Sequence, residues 1–229
     1  MPILSVDSSS GYSNTLIMDA DFNVIAETIC GFHENHSVLL FKQIDKMLLK
    51  TGIRLSDLSG IVVLLGPGSF TGVRVSLTIA KTLSYTLGLN IIGLGSLFVC
   101  AYPFFKSNST SKYIVAVKDA IKNSYYVSAF ISKNGNFAPH LKISQFNLRE
   151  LKSFVNGFDS IPAVVYGYNR KGRYEIFKSE FKENVPLNPF DLLKMPYYAA
   201  KYMLESTITN DLQYADGLSP YYVYGEGPF

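Results

Sequence analysis

Gly66, Gly68 and Gly72 fall within seven residues of one another, in the stretch "LGPGSFTGVRVSLTIAKTL" that follows the apolar run "IVVLL". Glycines between a strand and a helix are where backbone N–H groups cradle phosphates, so the spacing is the first thing to test. A Walker loop needs a lysine directly after its last glycine, and Val73 stands there. The dinucleotide fingerprint needs a third glycine where Thr71 is found. A nucleophile elbow would flank Ser69 with glycines two residues away, and the flanks are Pro67 and Thr71. Gly66, Pro67 and Gly68 are therefore read as a structural turn from strand to helix.

Four other groupings could carry chemistry. Asp7 is followed by Ser8 and Ser9 at the end of the apolar run "PILSVD", and Asp119 ends "YIVAVKD" in the same way. A carboxylate beside hydroxyls can serve a phosphate and its metal ion, or simply bond its own turn. His33 and His36 are three apart, and a metal would bind them only if Glu34 or a distant carboxylate joined. His140 follows Pro139 without a partner in the sequence, and Arg170, Lys171 and Arg173 form a short basic cluster after "PAVVYGY". Three cations can touch a nucleic-acid backbone, but solvation in a polar loop explains them equally.

The elements that would position these groups come in a repeating order. "PILSVD", "YSNTLIMD" and "FNVIAETIC" alternate as strands joined by "SSSG" and "DADF". A helix is expected over residues 37–50, where Leu40, Ile44, Met47 and Leu48 share a face and Gly52 stops it. A buried strand, the Gly-rich loop and a helix over about residues 73–87 follow. Gly72, Ser76, Ala80 and Ser84 recur every four residues along that helix, with Leu77, Leu83 and Leu87 beside them. Such a ridge of low side chains lets a neighbour approach closely, whether the helix at 37–50 or another molecule. After the polar link "KSNSTSK" the order begins again: strands "YIVAVKD", "SYYVSAFIS" and "FAPHLKISQF", the helical "LRELKSFVNG", the strand "PAVVYGY", a polar stretch and a helix over about residues 190–204. Two β-β-β-α-β-α halves, residues 1–105 and 106–229, resemble the duplicated actin-like (ASKHA) α/β fold of actin-like ATPases and sugar kinases. In that fold the first hairpin of each half faces phosphate, which makes Asp7, Ser8, Ser9 and Asp119 the candidates for a residual nucleotide site.

Composition limits the function classes. The net charge of +3 is too small to argue nucleic-acid binding by electrostatics alone. Charged residues are 17%, below the roughly 25% of an average soluble domain, and 48% are hydrophobic, which fits a surface partly reserved for another protein. Cys30 and Cys100 are too few for a disulfide framework or a zinc site, and a reducing cytoplasm is the expected compartment. The uncharged passage over residues 83–105 is cut by Gly88, Asn90, Gly93, Gly95 and Pro103 into pieces too short to span a bilayer.

The loop signature "GPGSFTGVRVSLTIAKTL" resembles that of the TsaB (YeaZ) family, non-catalytic companions of the threonylcarbamoyl transferase TsaD in bacterial tRNA modification. "ILSVDSSS", "HENHSVLL", "LGSL", "VKDAIKNSYYVSAF" and "LSPYYV" fit the resemblance in order. Ile121 and Lys122 stand where the family usually has two arginines after Asp-Ala. The resemblance implies a scaffold that pairs with TsaD through the first two helices, or with a second copy when alone, and that engages the ATPase TsaE once paired. Threonylcarbamoyl would reach the adenosine beside the anticodon of tRNAs reading codons that begin with A, with tRNA met through the complex. The expected interface is His36, Leu40, Ile44, Met47, Phe70, Gly72, Val73, Ser76, Leu77, Ala80, Leu83 and Ser84. No cofactor is expected on this chain, ATP and metal belonging to the partner subunits. TsaD follows its loop helix with two metal-binding histidines, whereas "IIGLGSLFVCAYPF" offers no such donors. The competing expectation is an enzyme in its own right, an actin-like ATPase using Asp7 and Asp119 or a metallopeptidase-like protein.

Overall fold

A computed structural model describes residues 1–31, 36–107, 111–133, 136–168, 171–181, 185–207 and 218–221. The chain forms two compact units. The first comprises Met1–Ser96 together with Leu193–Tyr221, and the second is built on Leu97–Leu192. Against a single cut after residue 105, the helix Ser96–Lys106 groups with the second unit and Leu193–Tyr221 returns to the first.

In the first unit, β1 (Ile3–Asp7), β2 (Ser13–Met18), β3 (Val24–Cys30), β4 (Gly60–Leu64) and β5 (Asn90–Leu94) form one sheet in the order β3-β2-β1-β4-β5. β1 is antiparallel to β2, and parallel to β4, so the carboxyl ends of β1, β4 and β5 share one edge of the sheet. The helices α1 (His36–Thr51) and α2 (Phe70–Leu87) connect β3 to β4 and β4 to β5. Every residue of β1 and β4 is buried, as expected of strands covered on both faces. Leu4, Val6, Ile61 and Val63 meet Leu40, Ile44, Met47, Leu77, Ala80 and Leu83 in one core. On the other face Gly60 meets the terminal methyl of Met203, from the helix α6 (Met195–Thr207) that packs on β1, β2 and β4. A side chain at Gly60 would overlap that methyl and displace the flexible end of Met203.

The second unit repeats the plan. β6 (Tyr113–Asp119), β7 (Tyr125–Lys133), β8 (Asn136–Phe146), β9 (Ala163–Tyr168) and β10 (Leu187–Asp191) form a sheet in the order β10-β9-β6-β7-β8. Read from its other edge, that is the strand order of the first sheet, with β6 in the place of β1. The helices α4 (Leu148–Asn156) and α5 (Lys171–Ser179) lie between β8 and β9 and between β9 and β10. Asn147 caps α4 through the Glu150 N–H at 3.0 Å while Glu150 returns a bond to the Asn147 N–H at 2.7 Å, a reciprocal capping box. Tyr166 and Phe177 stack at 4.2 Å in the core beside Val115, Val127 and Leu151. The helix α3 (Ser96–Lys106) joins this unit through Phe98, whose ring meets Phe130 and Phe137, and through Cys100, which lies against Gly167. The duplicated α/β architecture read from the sequence is the architecture found.

Three elements differ from expectation. α2 begins at Phe70, because the Ser69 side chain accepts from the Gly72 N–H at 3.1 Å and starts the helix a turn early. The polar stretch with Lys171 and Arg173 is the helix α5 and no solvated loop; its apolar anchors Tyr174 and Phe177 lie among polar residues that hide the period. Residues 187–191 are the edge strand β10, where Pro189 is tolerated, so the last helix starts at Met195 and not near 190.

Candidate functional site

The Gly-rich loop sits where the carboxyl end of β1 meets the start of α2, and several of its polar groups bond the chain itself. The Ser69 N–H donates to the Ser9 carbonyl at 2.7 Å, and the Ser8 hydroxyl donates to the Gly72 carbonyl at 2.6 Å. Ser9 and Ser96 share a hydroxyl bond at 3.2 Å, and the Ser96 N–H donates to the Gly66 carbonyl at 2.7 Å. Gly72 has no space for a side chain, because a Cβ there would overlap the Ser8 carbonyl. Gly66 adopts φ +87°, the left-handed region that glycine tolerates best. The Ser69 N–H is committed to the β1–β2 turn and the Gly72 N–H to Ser69 Oγ, and the loop is a strand-to-helix corner.

Asp7 is buried within that corner. Its carboxylate accepts from the Ser9 N–H at 2.7 Å and from the Ser10 hydroxyl at 3.3 Å, an Asx turn that holds the hairpin. Asp119, its counterpart in the second unit, accepts from the Tyr166 hydroxyl at 2.7 Å and from Arg173 Nε at 3.0 Å. Burial and then the Asp119 hydrogen bond push the Tyr166 phenol well above its ordinary value. The hydrogen bond and charge of Asp119 likewise raise Arg173. Arg173, read from sequence as a solvated cation or a contact for a nucleic-acid backbone, is an internal partner of Asp119.

Ten of the twelve residues expected at an interface point inward. Leu40, Ile44, Met47, Leu77, Ala80 and Leu83 lie in the first unit's core, and Gly72, Val73, Ser76 and Ser84 are buried on the same side of α2. The small-residue ridge lies beside the apolar face, so both serve the approach of α2 to its own sheet. Ser76 Oγ bonds the Gly72 and Val73 carbonyls, and Ser84 Oγ bonds the Leu89 carbonyl. Of the remaining two, Phe70 is outward at 51% exposure, and the side chain of His36 lies outside the described residues, as does His33. The outer faces of the same helices carry residues that the inward pattern concealed. Phe41 is 54% exposed and Leu49 76% on α1, and Tyr85 is 60% exposed on α2. The Arg74 guanidinium lies over the Phe70 ring at 3.7 Å. Their signal in the sequence is large apolar residues at helical positions opposite the core stripe, Phe41 and Leu49 two turns apart.

Among the described residues no group of three or more His, Cys, Asp or Glu is placed to hold a metal ion. His140 packs against Tyr113 and Phe158, with ring centroids 5.1 Å and 5.9 Å away. No helix of the described residues is long and apolar enough to cross a membrane.

Comparison with known proteins adds to this geometry. The profile of the family described as "TsaD: tRNA N6-adenosine threonylcarbamoyltransferase" matches residues 29–137. The tRNA threonylcarbamoyladenosine biosynthesis protein TsaB of Bacillus subtilis is 35% identical over 135 residues, 59% of this chain and 57% of that protein. The chain therefore aligns with a little over half the length of that relative. The TsaB of Buchnera aphidicola from Acyrthosiphon pisum is 26% identical over 217 residues, 90% of this chain and 95% of that protein. Crystalline YeaZ from Pseudomonas aeruginosa superposes with a TM-score of 0.71 at 15% identity, covering 97% of this chain and 99% of YeaZ. The chain is similar to TsaB (YeaZ) proteins in sequence over these spans and shares the fold of YeaZ. An ROK family protein from Streptococcus pneumoniae, at TM-score 0.56 and 11% identity over 91% of this chain and all of that one, shares the actin-like fold. In this architecture the loop signature marks a packed corner, and the exposed residues lie on the outer faces of the two helices beside it.

Proposed function

We propose that this chain acts in tRNA threonylcarbamoyladenosine biosynthesis as a non-catalytic subunit that pairs with TsaD through the outer faces of α1 and α2. The observation that carries the reading is the set of large side chains left exposed on two neighbouring helices whose inner faces are fully used: Phe41, Leu49, Phe70 and Tyr85. Aromatic residues and arginine in such a patch are the usual anchors of a protein interface. The same patch serves a homodimer when the chain is alone, and the assembled pair then engages TsaE. ATP and metal reside on the partner subunits, and tRNA is met through the complex.

The commitment of the Asp7 and Asp119 carboxylates to internal donors supports this reading over an ATPase. Titration of purified TsaD with the chain tests it. Phe70→Glu and Tyr85→Glu are expected to weaken the complex by about a hundredfold each, with folding intact, since a desolvated anchor is worth about 2–4 kcal/mol. Unchanged affinity in both variants places the interface elsewhere, and absence of any complex with the wild-type chain removes the reading.

A further inference from the structure

The carboxyl ends of parallel strands are where open α/β sheets ordinarily admit ligands. In the first unit that position, beyond β4 and β5, is filled by Leu218–Tyr221, a segment more than a hundred residues away in sequence. The Tyr221 N–H donates to the Leu65 carbonyl at 2.8 Å. Leu218 is buried in the core that contains Leu65 and Ile91. Two glycines, Gly93 and Gly95, make room for the segment, and Gly66 lies beside it. A Cβ at Gly93 would stand 2.8 Å from the Leu218 side chain, one at Gly95 3.1 Å from the Tyr221 ring, and one at Gly66 3.5 Å from the Tyr221 carbonyl. Gly66 lies between this segment and the helix, where a Cβ would also stand 3.3 Å from Val73 Cγ2.

We infer that Leu218–Tyr221 is a strap that latches the Gly-rich loop and, through Gly66, holds the first turn of α2. The order of that turn depends on a contact chain running Tyr221, Leu65 and Gly66, Val73. Gly93-Leu94-Gly95 is then the seat of the strap, which accounts for glycines in and after β5 that no turn requires. Among the described residues the strap is held by the buried Leu218, the Tyr221 N–H and the Tyr221 ring over Gly95, so its release is a local opening that leaves the rest of the unit folded. Because α2 starts at the loop, seating and release of the strap govern the position of Phe70 and Arg74 on the outer surface.

Hydrogen exchange on the full-length chain tests the latch. Gly95→Leu unseats the Tyr221 ring from below, and Tyr221→Pro removes the N–H that meets Leu65. Both are expected to speed exchange of the Ser69, Gly72 and Val73 amides by about tenfold or more, while β1, β6 and β9 keep their wild-type rates. Wild-type rates at those three amides in both variants overturn the inference. So does a uniform rise across β1 and β4, which would make the segment an ordinary part of the core. Should Gly95→Leu fail to fold, Tyr221→Pro decides alone, since it leaves the seat untouched.

Discussion

Asp7 and Asp119 end the equivalent strands of two copies of one fold, and they are stabilised by different means. Asp7 is 1% exposed and takes neutral donors from its own turn, one a backbone N–H two residues ahead. The Asp119 side chain is 30% exposed and takes a phenol and a guanidinium from 47 and 54 residues away. Duplication preserved the strand order and the carboxylate, whereas the partners were settled separately in each half. A shared position in a repeated fold is therefore no guide to a shared role. The first carboxylate shapes a hairpin on which the Gly-rich loop rests, and the second ties α5 to β6 and β9.

Substitutions that separate the two halves give the largest effects where backbone meets backbone. Gly72→Val is expected to cost about 3 kcal/mol in urea denaturation, because the new side chain must displace the Ser8 carbonyl and no flexible atom can yield. Gly157→Ala, at the end of α4 in the second unit, stays within about 0.5 kcal/mol, its nearest neighbour being 3.4 Å away. Asp7→Ala follows, at about 2 kcal/mol, since it strands the Ser9 N–H in a buried turn. Asp119→Ala costs about 1 kcal/mol, because a half-exposed Arg173 can turn to water, and added salt shrinks the Asp119 effect alone.

Tyr166→Phe is expected to cost about 1 kcal/mol at neutral pH. It also carries a sign. The Tyr166 phenol ionises at higher pH in the folded chain than in the unfolded one, so its stabilisation is complete below the ordinary phenol value and is lost as pH rises beyond it. Denaturation midpoints across about pH 9 to 11 should therefore fall more steeply for the wild type than for Tyr166→Phe. Parallel curves would assign the slope to other tyrosines.

Repetition made the fold readable. Alternation gave the three-stranded meander of each half, and the 3.6-residue period gave α1 and α2 with their inward leucines. The same period misled about the surface. Gly72, Ser76, Ala80 and Ser84 look like a docking ridge in the sequence, yet small side chains serve an internal sheet as well as an external helix, and only burial distinguishes them. β10 and α5 were hidden because their anchors are sparse: Phe190 is the one buried residue of β10, and Phe177 stands among charges. The pairing of Arg173 with Asp119 spans 54 residues and has no local signature. The strap's seat was visible only as "GLG", whose purpose depends on a segment that the chain reaches last.

The first unit is interrupted in sequence. Its sheet is complete by Leu94, but α6, which covers β1, β2 and β4, begins at Met195, and the Asn14 side chain waits for the Leu193 carbonyl, which it meets at 2.7 Å. As the chain leaves the ribosome, the amino-terminal strands emerge with one face bare while Leu97–Leu192 is synthesised. Contacts of such long sequence separation close slowly. The half that contains the loop signature is thus begun before Leu97–Leu192 and closed only after it.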